Sequence, residues 1–382
     1  MEEIIKKKIL VLNGQYLPGY KGGGPIQSCA NMIENLSDKF DFYVLCADRD
    51  FKDDKAYENI KINDWNQVGS AKVFYMSPDK QTIRGFNQIL NSLEFDIMYL
   101  NGFFSPIFTI KPLILKWLGK LKEKKIILTP RGDFTGGCEN KKLKKYSYIY
   151  FCKLIGLYRG LTWHATSDLE EKDIKYKFPK AKTFVASNLP AQYSSQQEFM
   201  QKNENELRLI FLSRIFPKKN LKYALEVLKE INSGNIVFDI YGPMEDKDYW
   251  EECKAVIKEI PHNINVNYCG EVPHSEIFNI FKKYHALFFP TLGENYGHVI
   301  VEAMVNNCLV ILSREVTPWD KYSDLLDLGA KLNDKQKFVD IIERLLKMDN
   351  NEMAKAIEKN IGFIASNTAS DAILDEYQRM LG

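Results

Sequence analysis

Residues 207–241, LRLIFLSRIFPKKNLKYALEVLKEINSGNIVFDIY, decide the fold of this chain. The stretch begins with an apolar run at Leu207–Leu212 that is typical of a buried strand. A polar turn follows, and then a helical pattern of apolar residues at Leu221–Ile231. A second apolar run comes at Val237–Tyr241. A strand, a helix and another strand in this order predict a βαβ unit with parallel strands.

The same alternation extends from this stretch in both directions. Further strands are predicted at Ile9–Asn13, Phe42–Ala47, Ala71–Met76, Ile97–Asn101, Ile126–Pro130, Thr183–Ala186, Ile264–Tyr268, Leu287–Pro290 and Leu309–Leu312. Helices are predicted at Pro25–Leu36, Pro112–Leu121, Lys141–Leu157, Asp168–Lys177, Tyr249–Ile260, Ser275–Tyr284 and Gly297–Asn306. The fold class is therefore α/β, with two Rossmann-like, doubly wound parallel-sheet domains.

The length of 382 residues also favours two domains, because it exceeds the size of a typical single core. The alternation stops near residue 190, and residues 191–206 are polar and rich in Gln, Asn and Ser, as in an inter-domain linker. We therefore predict an N-terminal domain at residues 1–190 and a C-terminal domain at residues 207–367.

The composition excludes several classes of protein. The chain has 52 Lys and Arg against 50 Asp and Glu, a balance that does not indicate a nucleic-acid-binding protein. Its seven cysteines are widely spaced and form no CxxC pair, so we expect neither a disulfide framework nor a zinc site. The apolar run after the charged N-terminus is too short for a signal peptide or a membrane span. These features predict a cytoplasmic protein.

Ligands of open parallel sheets bind outside the carboxyl ends of the strands, so we expect a binding or catalytic site in the loops at those ends. The first such loop is Leu17–Pro25, LPGYKGGGP, which leads from the first strand into a helix. Its three consecutive glycines allow close approach of a ligand, and the following helix start offers N–H groups to an anion. The spacing is not GxGxxG, which disfavours a dinucleotide cofactor. A flexible surface loop is the alternative interpretation.

The second loop is Ser213–Asn220, SRIFPKKN, directly after the strand Leu207–Leu212. Pro217 turns the chain between Arg214 and Lys219, so the two cations are expected to converge on one phosphate group. An arginine fork and a lysine point charge suit a diphosphate. An isolated basic turn would be solvated, but the position at a strand's carboxyl end favours the anion site.

The third loop belongs to Pro290–Met304, PTLGENYGHVIVEAM. Gly297 is predicted to open a helix whose first N–H groups hold a phosphate, with the helix dipole behind them. Glu294 in the loop and Glu302 in the second helical turn are carboxylates, which accept hydrogen bonds from sugar and ribose hydroxyls. An exposed helical position is the alternative for Glu302, although its apolar neighbours disfavour it.

Two further features stand in the first half of the chain. Arg131 follows a strand and is expected at a ligand-binding cleft, with a salt bridge to Asp133 as the structural alternative. The lysine run at residues 141–145 is followed by several aromatic residues, and such a basic helix can rest on the anionic inner surface of a membrane. A solvated helix face is the alternative interpretation, and it is the one we prefer.

The motif S-R-x-x-P-x-K-N at Ser213–Asn220, followed by G-E-x-Y-G-x-x-x-x-E-A at Gly293–Ala303, resembles the retaining glycosyltransferases of family 4, also called group 1. The resemblance covers nearly the whole chain. It implies the GT-B fold, in which two facing Rossmann-like domains bind the acceptor mainly through the first and the nucleotide-sugar donor mainly through the second. It also implies that a C-terminal helix, at about residues 368–382, crosses back to the first domain.

The family's functional residues fall on definite positions of this chain. By resemblance, Arg214 and Lys219 stabilise the donor diphosphate, Glu294 contacts the transferred sugar and Glu302 binds the ribose. The implied catalytic set is Arg214, Lys219, Glu294 and Arg131, and the implied donor-binding set is Gly23, Gly24, Gly270, Glu271, Val272, Asn295, Tyr296, Gly297, His298, Val299 and Glu302.

The expected reaction moves a hexose-type sugar from a nucleoside-diphosphate sugar to a glycan or lipid-linked acceptor, in cell-surface polysaccharide synthesis. Fixed cations and a helix N-terminus can stabilise the leaving diphosphate, so no metal and no other cofactor are expected. No Asp-x-Asp motif lies in a suitable loop, and the pair Asp53–Asp54 is discounted. With no carboxylate nucleophile predicted, retention implies a front-face displacement.

The chain departs from the family pattern in two places. Many members have a histidine where this chain has Pro130–Arg131, so a histidine role cannot be carried over, and Arg131 is the candidate for that space. The usual Gly-x-Pro is replaced by Asn307–Leu309, which affects only a local turn. A nucleotide-sugar 2-epimerase of the same fold and a non-catalytic sugar-binding protein are the alternative functions.

Overall fold

The computed structural model describes residues 6–121, 124–134, 142–190, 199–273, 276–367 and 371–382, with side chains omitted at 142–145. The chain divides into two compact units. Unit 1 comprises residues 1–192 and 371–382, and unit 2 comprises residues 193–370. Residues 191–198 of the predicted linker lie outside the described residues. The last predicted helix is present at Asp371–Leu381.

Unit 1 is built on an eight-stranded sheet. Its strands are β1 (Lys7–Leu12), β2 (Phe40–Ala47), β3 (Trp65–Val68), β4 (Ala71–Met76), β5 (Ile97–Asn101), β6 (Lys125–Thr129), β7 (Thr162–Ala165) and β8 (Lys182–Val185). They lie in the order β3-β4-β2-β1-β5-β6-β7-β8. All neighbouring pairs are parallel except β3 with β4, which is antiparallel at the edge. The strand order reverses between β1 and β5.

Helices cover this sheet. They are α1 (Gly24–Leu36), α2 (Ile83–Ser92), α3 (Lys111–Trp117), α4 (Lys142–Leu154), α5 (Asp168–Lys177) and the C-terminal α13 (Asp371–Leu381). A π-helical turn at Pro106–Ile110 precedes α3. Two apolar clusters form the core, and one of them contains Tyr377, Met380 and Leu381 of α13 together with residues of α1. The C-terminal helix thus packs into the core of unit 1.

Unit 2 is built on a six-stranded parallel sheet. Its strands are β9 (Glu206–Leu212), β10 (Asn235–Tyr241), β11 (Ile264–Gly270), β12 (Ala286–Phe289), β13 (Leu309–Ser313) and β14 (Gly329–Ala330), in the order β11-β10-β9-β12-β13-β14. Its helices are α6 (Leu221–Leu228), α7 (Lys247–Ile257), α8 (Ile277–Phe281), α9 (His298–Val305), α10 (Asp320–Leu326), α11 (Lys335–Lys347) and α12 (Asn350–Asn367). One continuous apolar cluster forms its core. The predicted fold class, two doubly wound α/β parts, is confirmed.

The apolar pattern located most elements but not all. Strands β12 and β13 are buried along their length, as expected for central parallel strands that helices cover on both faces. The pattern missed β3, a half-exposed edge strand, and β7, which contains Thr162 and His164 although every residue in it is buried. It also missed α2, whose N-cap Thr82 accepts a hydrogen bond from the N–H of Gly85. Polar residues thus concealed these three elements, and the short α10 and the two-residue β14 were not predicted either.

Candidate active site

The strand order of unit 2 reverses between β9 and β12, which creates a crevice at the carboxyl ends of these two strands. The loops that follow them are hydrogen-bonded to each other. The Asn220 side chain donates to the carbonyl of Pro290 (2.8 Å), and the N–H of Leu292 donates to the carbonyl of Lys218 (3.0 Å). The Thr291 hydroxyl donates to the same Lys218 carbonyl (3.2 Å). Two segments about 70 residues apart in sequence therefore form one rigid surface.

An ion pair between Lys219 and Glu294 lies on this surface. The Lys219 ammonium is 2.5 Å from Glu294 Oε1, and both side chains are largely buried, at 17% and 12% exposure. Thr291 Oγ1 is 3.3 Å from the same carboxylate oxygen, and the ring of Phe289 lies 5.5 Å from the ammonium. The backbone of Glu294 is held by its N–H bond to the carbonyl of Val316 (2.9 Å). The charged ends of both side chains are therefore fixed in position.

Arg214 has a different partner from Lys219. Its Nη1 donates to Glu245 Oε2 (2.8 Å), and Glu245 stands in the loop after β10. The loops after β9 and β10 approach closely, since a Cβ at Gly242 would lie 2.0 Å from the carbonyl oxygen of Ser213. The structure thus pairs the two cations with carboxylates in two different loops. Their joint binding of one diphosphate stays a prediction.

The loop after β12 leads into the N-terminus of α9. Gly297 is its N-cap with φ 78°, and a Cβ there would lie 2.6 Å from Cδ1 of Ile300, so glycine fits both the backbone and the space. The Tyr296 carbonyl accepts a hydrogen bond from Trp319 Nε1 (2.5 Å), and the Tyr296 ring packs against those of Trp319 and His298. The first N–H groups of a helix lack intrahelical acceptors, and the dipole favours an anion there.

The other predicted donor residues lie on the same elements. Glu302 is buried in the second turn of α9, so the exposed alternative for it is wrong. Asn295, His298 and Val299 are half-buried in the loop and first turn. At the end of β11, Gly270 has φ 82° and its carbonyl accepts the N–H of Gly242 (2.8 Å). Beyond it, Glu271 is exposed, and Val272 packs against the core of unit 2. Their binding roles stay predictions.

The glycine loop of unit 1 is anchored. Asp50, a buried residue after β2, accepts the N–H groups of Tyr20 (2.8 Å) and Lys21 (3.0 Å), while the Lys21 ammonium pairs with Asp53 (2.6 Å). Gly23 is the N-cap of α1 with φ 67°, and a Cβ there would meet no atom within 4 Å. Gly24 is the first residue of α1. The loop is therefore held at its base and leaves open space beside Gly23.

Arg131 donates to three oxygen atoms within unit 1. Its Nε contacts Asn101 Oδ1 (2.7 Å), its Nη2 contacts the Tyr99 hydroxyl (3.2 Å), and its Nη1 contacts Asn188 Oδ1. The Asn101 side-chain amide in turn donates to the carbonyl of Pro25 at the start of α1 (3.2 Å). Arg131 and the glycine loop are thus linked at the carboxyl ends of β5 and β1, where the strand order of this sheet reverses.

The Arg131 network continues to His164, which is fully buried. His164 Nε2 lies 2.8 Å from the carbonyl of Ala186, so this nitrogen carries the proton. Nδ1 then accepts from the Tyr99 hydroxyl at 2.6 Å. Burial, and secondarily the charge of Arg131, lower the pKa of His164 to about 3. His164 is therefore a neutral, fully hydrogen-bonded core residue.

Neither a metal cluster nor a membrane span is found among the described residues. No group of three or more His, Cys, Asp and Glu side chains in this part of the chain could hold a metal ion. In the discounted pair, Asp53 binds Lys21, and the carbonyl of Asp54 accepts a hydrogen bond from Arg49 (2.6 Å). None of the helices in the described ranges is both long and apolar enough to cross a membrane.

Sequence reasoning missed three residues of these two surfaces. Glu245 is the first acidic residue after β10, and a search for acids at every strand's carboxyl end would have found it. Asn101 is the last residue of β5, and a search that also included amide side chains at the strand ends would have found it. Trp319 gave no such signal, because its contact with Tyr296 depends on a loop after β13 that carries no recognisable motif.

Residues 194–362, nearly all of unit 2, match the family described as glycosyl transferases group 1. This match and the two doubly wound units define the class of protein: a glycosyltransferase with the GT-B fold. Over 98% of each chain, the structure superposes on Anabaena Alr3699/HepE in complex with UDP and glucose, with a TM-score of 0.69 and 14% sequence identity.

Two curated proteins are also similar to this chain. An uncharacterized 41.2 kDa protein in the cps region of Klebsiella pneumoniae is 24% identical over 332 residues, which cover 82% of this chain and 86% of that protein. The O-antigen chain mannosyltransferase RfbU of Salmonella typhimurium is 24% identical over 119 residues, 31% of this chain and 33% of RfbU. The second similarity thus spans about a third of that mannosyltransferase.

Proposed function

We propose that this glycosyltransferase is a retaining, metal-independent enzyme of family 4. It moves a hexose-type sugar from a nucleoside-diphosphate sugar to a glycan or lipid-linked acceptor in cell-surface polysaccharide synthesis. The Lys219–Glu294 ion pair at the crevice between β9 and β12 carries the proposal. The similar HepE structure contains UDP and glucose, and RfbU is an O-antigen chain mannosyltransferase; both support it.

Lys219 and Glu294 suit opposite ends of the bond that breaks. The ammonium binds the diphosphate and lies against a carboxylate whose remaining lone pairs accept hydrogen bonds from sugar hydroxyls. Because Thr291 and the Val316 carbonyl hold Glu294 in place, the carboxylate of Glu294 needs no reorganisation when the donor arrives. One buried pair thus positions the leaving group and the sugar together.

Negative charge that develops on the diphosphate is balanced by protein groups. Lys219, Arg214 and the N-terminus of α9 provide this balance, with Arg214 exchanging its Glu245 partner for a phosphate oxygen. The buried Glu302 binds the ribose hydroxyls. This distribution of charge gives the metal-independent reaction its physical basis.

Retention follows from a front-face displacement. The bond from the anomeric carbon to the diphosphate oxygen breaks, and the acceptor oxygen forms a bond to that carbon on the same face. The acceptor's hydroxyl proton passes to the departing phosphate oxygen. No enzyme carboxylate becomes covalently attached. We place this reaction in the cytoplasm, where nucleotide sugars and the cytoplasmic ends of lipid-linked acceptors meet.

A donor screen tests the proposal. Purified protein is mixed with UDP- and GDP-sugars in EDTA, and the melting temperature and the release of nucleoside diphosphate are measured. We expect one donor to raise the melting temperature and to be turned over, and a Lys219→Met variant to lose both effects. Absence of both effects for every donor contradicts the proposal. Turnover that EDTA abolishes and magnesium restores contradicts metal independence, and isomerisation of the donor without acceptor identifies an epimerase.

A further inference from the structure

Helix α4 of unit 1 is apolar on its outer face as well as its inner face. Ile149 and Cys152 face the core, where both are buried. On the outside, Tyr150 and Leu154 are 73% and 74% exposed, at positions one helical turn apart, and Phe151 beside them is also exposed. A helix at a solvated surface normally presents polar residues there. The outer face of α4 therefore has the composition of a surface that contacts an apolar partner.

Contacts with neighbouring elements extend this face on both sides. The indole Nε1 of Trp117, which is 55% exposed at the end of α3, donates to the carbonyl of Ile155 just after α4 (2.9 Å). At the other end, the Lys177 ammonium lies 4.3 Å from the ring centre of Tyr146, and Tyr176 beside it is exposed. In proteins that bind membranes, the boundary between acyl chains and headgroups is occupied by tyrosine, tryptophan, lysine and leucine side chains.

The segment that carries most of this face is basic. Residues 141–167 contain six Lys and Arg and no Asp or Glu, whereas α5, which carries Tyr176, contributes acidic as well as basic residues. Lys153 and Arg159 are exposed. In a symmetric dimer through this face, each basic stretch would oppose its own copy, and like charges would repel. An anionic lipid surface instead complements both the charge and the exposed aromatic groups.

We propose that the α4 face, formed by Trp117, Tyr146, Tyr150, Phe151, Leu154 and Tyr176, docks on anionic phospholipid membranes. The aromatic and leucine side chains enter the interface, and the exposed Lys153 and Arg159 contact lipid phosphates. This docking goes beyond the proposed sugar transfer, because it involves no donor. It would place unit 1 at the surface where a lipid-linked acceptor is presented.

Vesicle flotation tests the docking. The full chain is mixed with phosphatidylcholine vesicles or with vesicles that contain about one-third phosphatidylglycerol. We expect binding to the anionic vesicles only, weakened by added salt. A Tyr150→Ser/Leu154→Ser double variant should bind about tenfold more weakly, because two interfacial apolar groups are lost. The control Leu325→Ser/Ile361→Ser, which changes exposed apolar residues of unit 2, should float like the wild type.

Two further measurements distinguish membrane docking from dimer formation through the α4 face. Lys153→Gln/Arg159→Gln should weaken binding to anionic vesicles while leaving the melting temperature unchanged, since both side chains are exposed. Vesicles with brominated acyl chains should quench the tryptophan fluorescence of the wild type more strongly than that of the Trp117→Phe variant. Failure of the wild type to float, or flotation of Tyr150→Ser/Leu154→Ser equal to the wild type, overturns the docking. A dimer that this double variant abolishes, without vesicle binding, assigns the face to a second copy and also overturns it.

Discussion

The ammonium of Lys219 lies 2.5 Å from the carboxylate of Glu294, although 75 residues separate the two positions in sequence. The parallel sheet causes this proximity. Each residue follows a strand, the strands β9 and β12 are neighbours, and their carboxyl ends meet at one edge. Hydrogen bonds between the backbone of Lys218 and Leu292 and from Asn220 to Pro290 then fix the loops. The proximity of Lys219 and Glu294 therefore depends on the folded sheet and on the hydrogen bonds between its loops.

Replacing either partner should impair transfer more than stability. We expect Lys219→Met to lower kcat/KM by about 10²–10³, the size of effect found when a group that stabilises developing negative charge is removed. Glu294→Gln should lower it by about 10², because the amide carries no negative charge and replaces one of the two acceptor oxygens with an NH₂ donor. Steady-state kinetics with the donor found by screening provide the measurement, at a temperature where each variant is folded.

Lys222→Met is the matched control for Lys219→Met. Lys222 lies three residues further along the chain and pairs with Glu252 at 2.9 Å on an exposed surface. A surface ion pair contributes about 0–1 kcal/mol, so this variant should keep both its stability and its kcat/KM. Equal losses of activity in the two variants would show that the Lys219–Glu294 position has no special role.

The fold could be predicted well because the buried strands are short apolar runs between helical patterns. Residues 207–241 contain a complete strand, turn, helix and second strand. β7 and β3 could not be found in this way. The polar His164 can be buried in β7 because both of its ring nitrogens are hydrogen-bonded. Its partners are the Tyr99 hydroxyl on β5 and the carbonyl of Ala186, directly after β8. Such pairing is visible in the fold but not in a local window.

The candidate site was predictable to the level of its loops but not of its pairings. Motif and position singled out Arg214, Lys219 and Glu294 as candidates, and the structure brings Lys219 and Glu294 together. Glu245 as the partner of Arg214 depends on the close approach of two loops, which Gly242 permits without any periodic signal. The link from Arg131 through Asn101 to the glycine loop likewise joins elements far apart in sequence.

Gly297→Ala should destabilise unit 2 and weaken donor binding. The backbone there has φ 78°, and the added Cβ would lie 2.6 Å from Cδ1 of Ile300. Left-handed strain costs about 1–2 kcal/mol, and the shift that relieves the clash would move the N–H groups of α9. The control Gly362→Ala adds a Cβ inside α12 with no atom within 4 Å. It should instead stabilise by about 0.5–1 kcal/mol in urea unfolding.

Two buried histidines should make the folded state less stable in acid. Burial lowers the pKa of His164 to about 3 and that of His285 to about 4, below the value of about 6.5 in an unfolded chain. Below pH 6.5 the unfolded chain therefore binds protons that the folded chain does not. The free energy of unfolding should fall by up to about 1.4 kcal/mol per pH unit for each histidine as the pH drops from about 6 to 4.

Urea unfolding at several pH values in this window measures the slope. His285 Nδ1 accepts the N–H of Arg208 (2.9 Å), and Nε2 donates to the carbonyl of Gln201 (3.1 Å), so His285→Gln removes the titration while offering similar hydrogen-bonding groups. Its slope should be shallower than that of the wild type. His262→Gln, at an exposed position, is the control and should keep the wild-type slope. Identical slopes for all three proteins would contradict the assignment.

Substitutions of Arg131 and Tyr377 can distinguish a structural role of Arg131 in unit 1 from a role in the reaction. Arg131→Met leaves the oxygens of Asn101, Asn188 and Tyr99 without their charged donor, and we expect it to lower the free energy of unfolding by about 2–4 kcal/mol. Tyr377 lies against the ring of His164, and its buried hydroxyl has no hydrogen-bond partner in the described part of the chain.

Tyr377→Phe should therefore be neutral or slightly stabilising, because it removes an unsatisfied buried group and keeps the packing of α13. Turnover measured below each variant's unfolding transition then decides the role of Arg131. If folded Arg131→Met or Arg131→Ala keeps the wild-type kcat/KM, its guanidinium has no part in the reaction and holds only the sheet and α1 together. A fall in kcat/KM that Arg131→Lys partly restores would instead place its positive charge in the reaction, since lysine retains the charge without the fork.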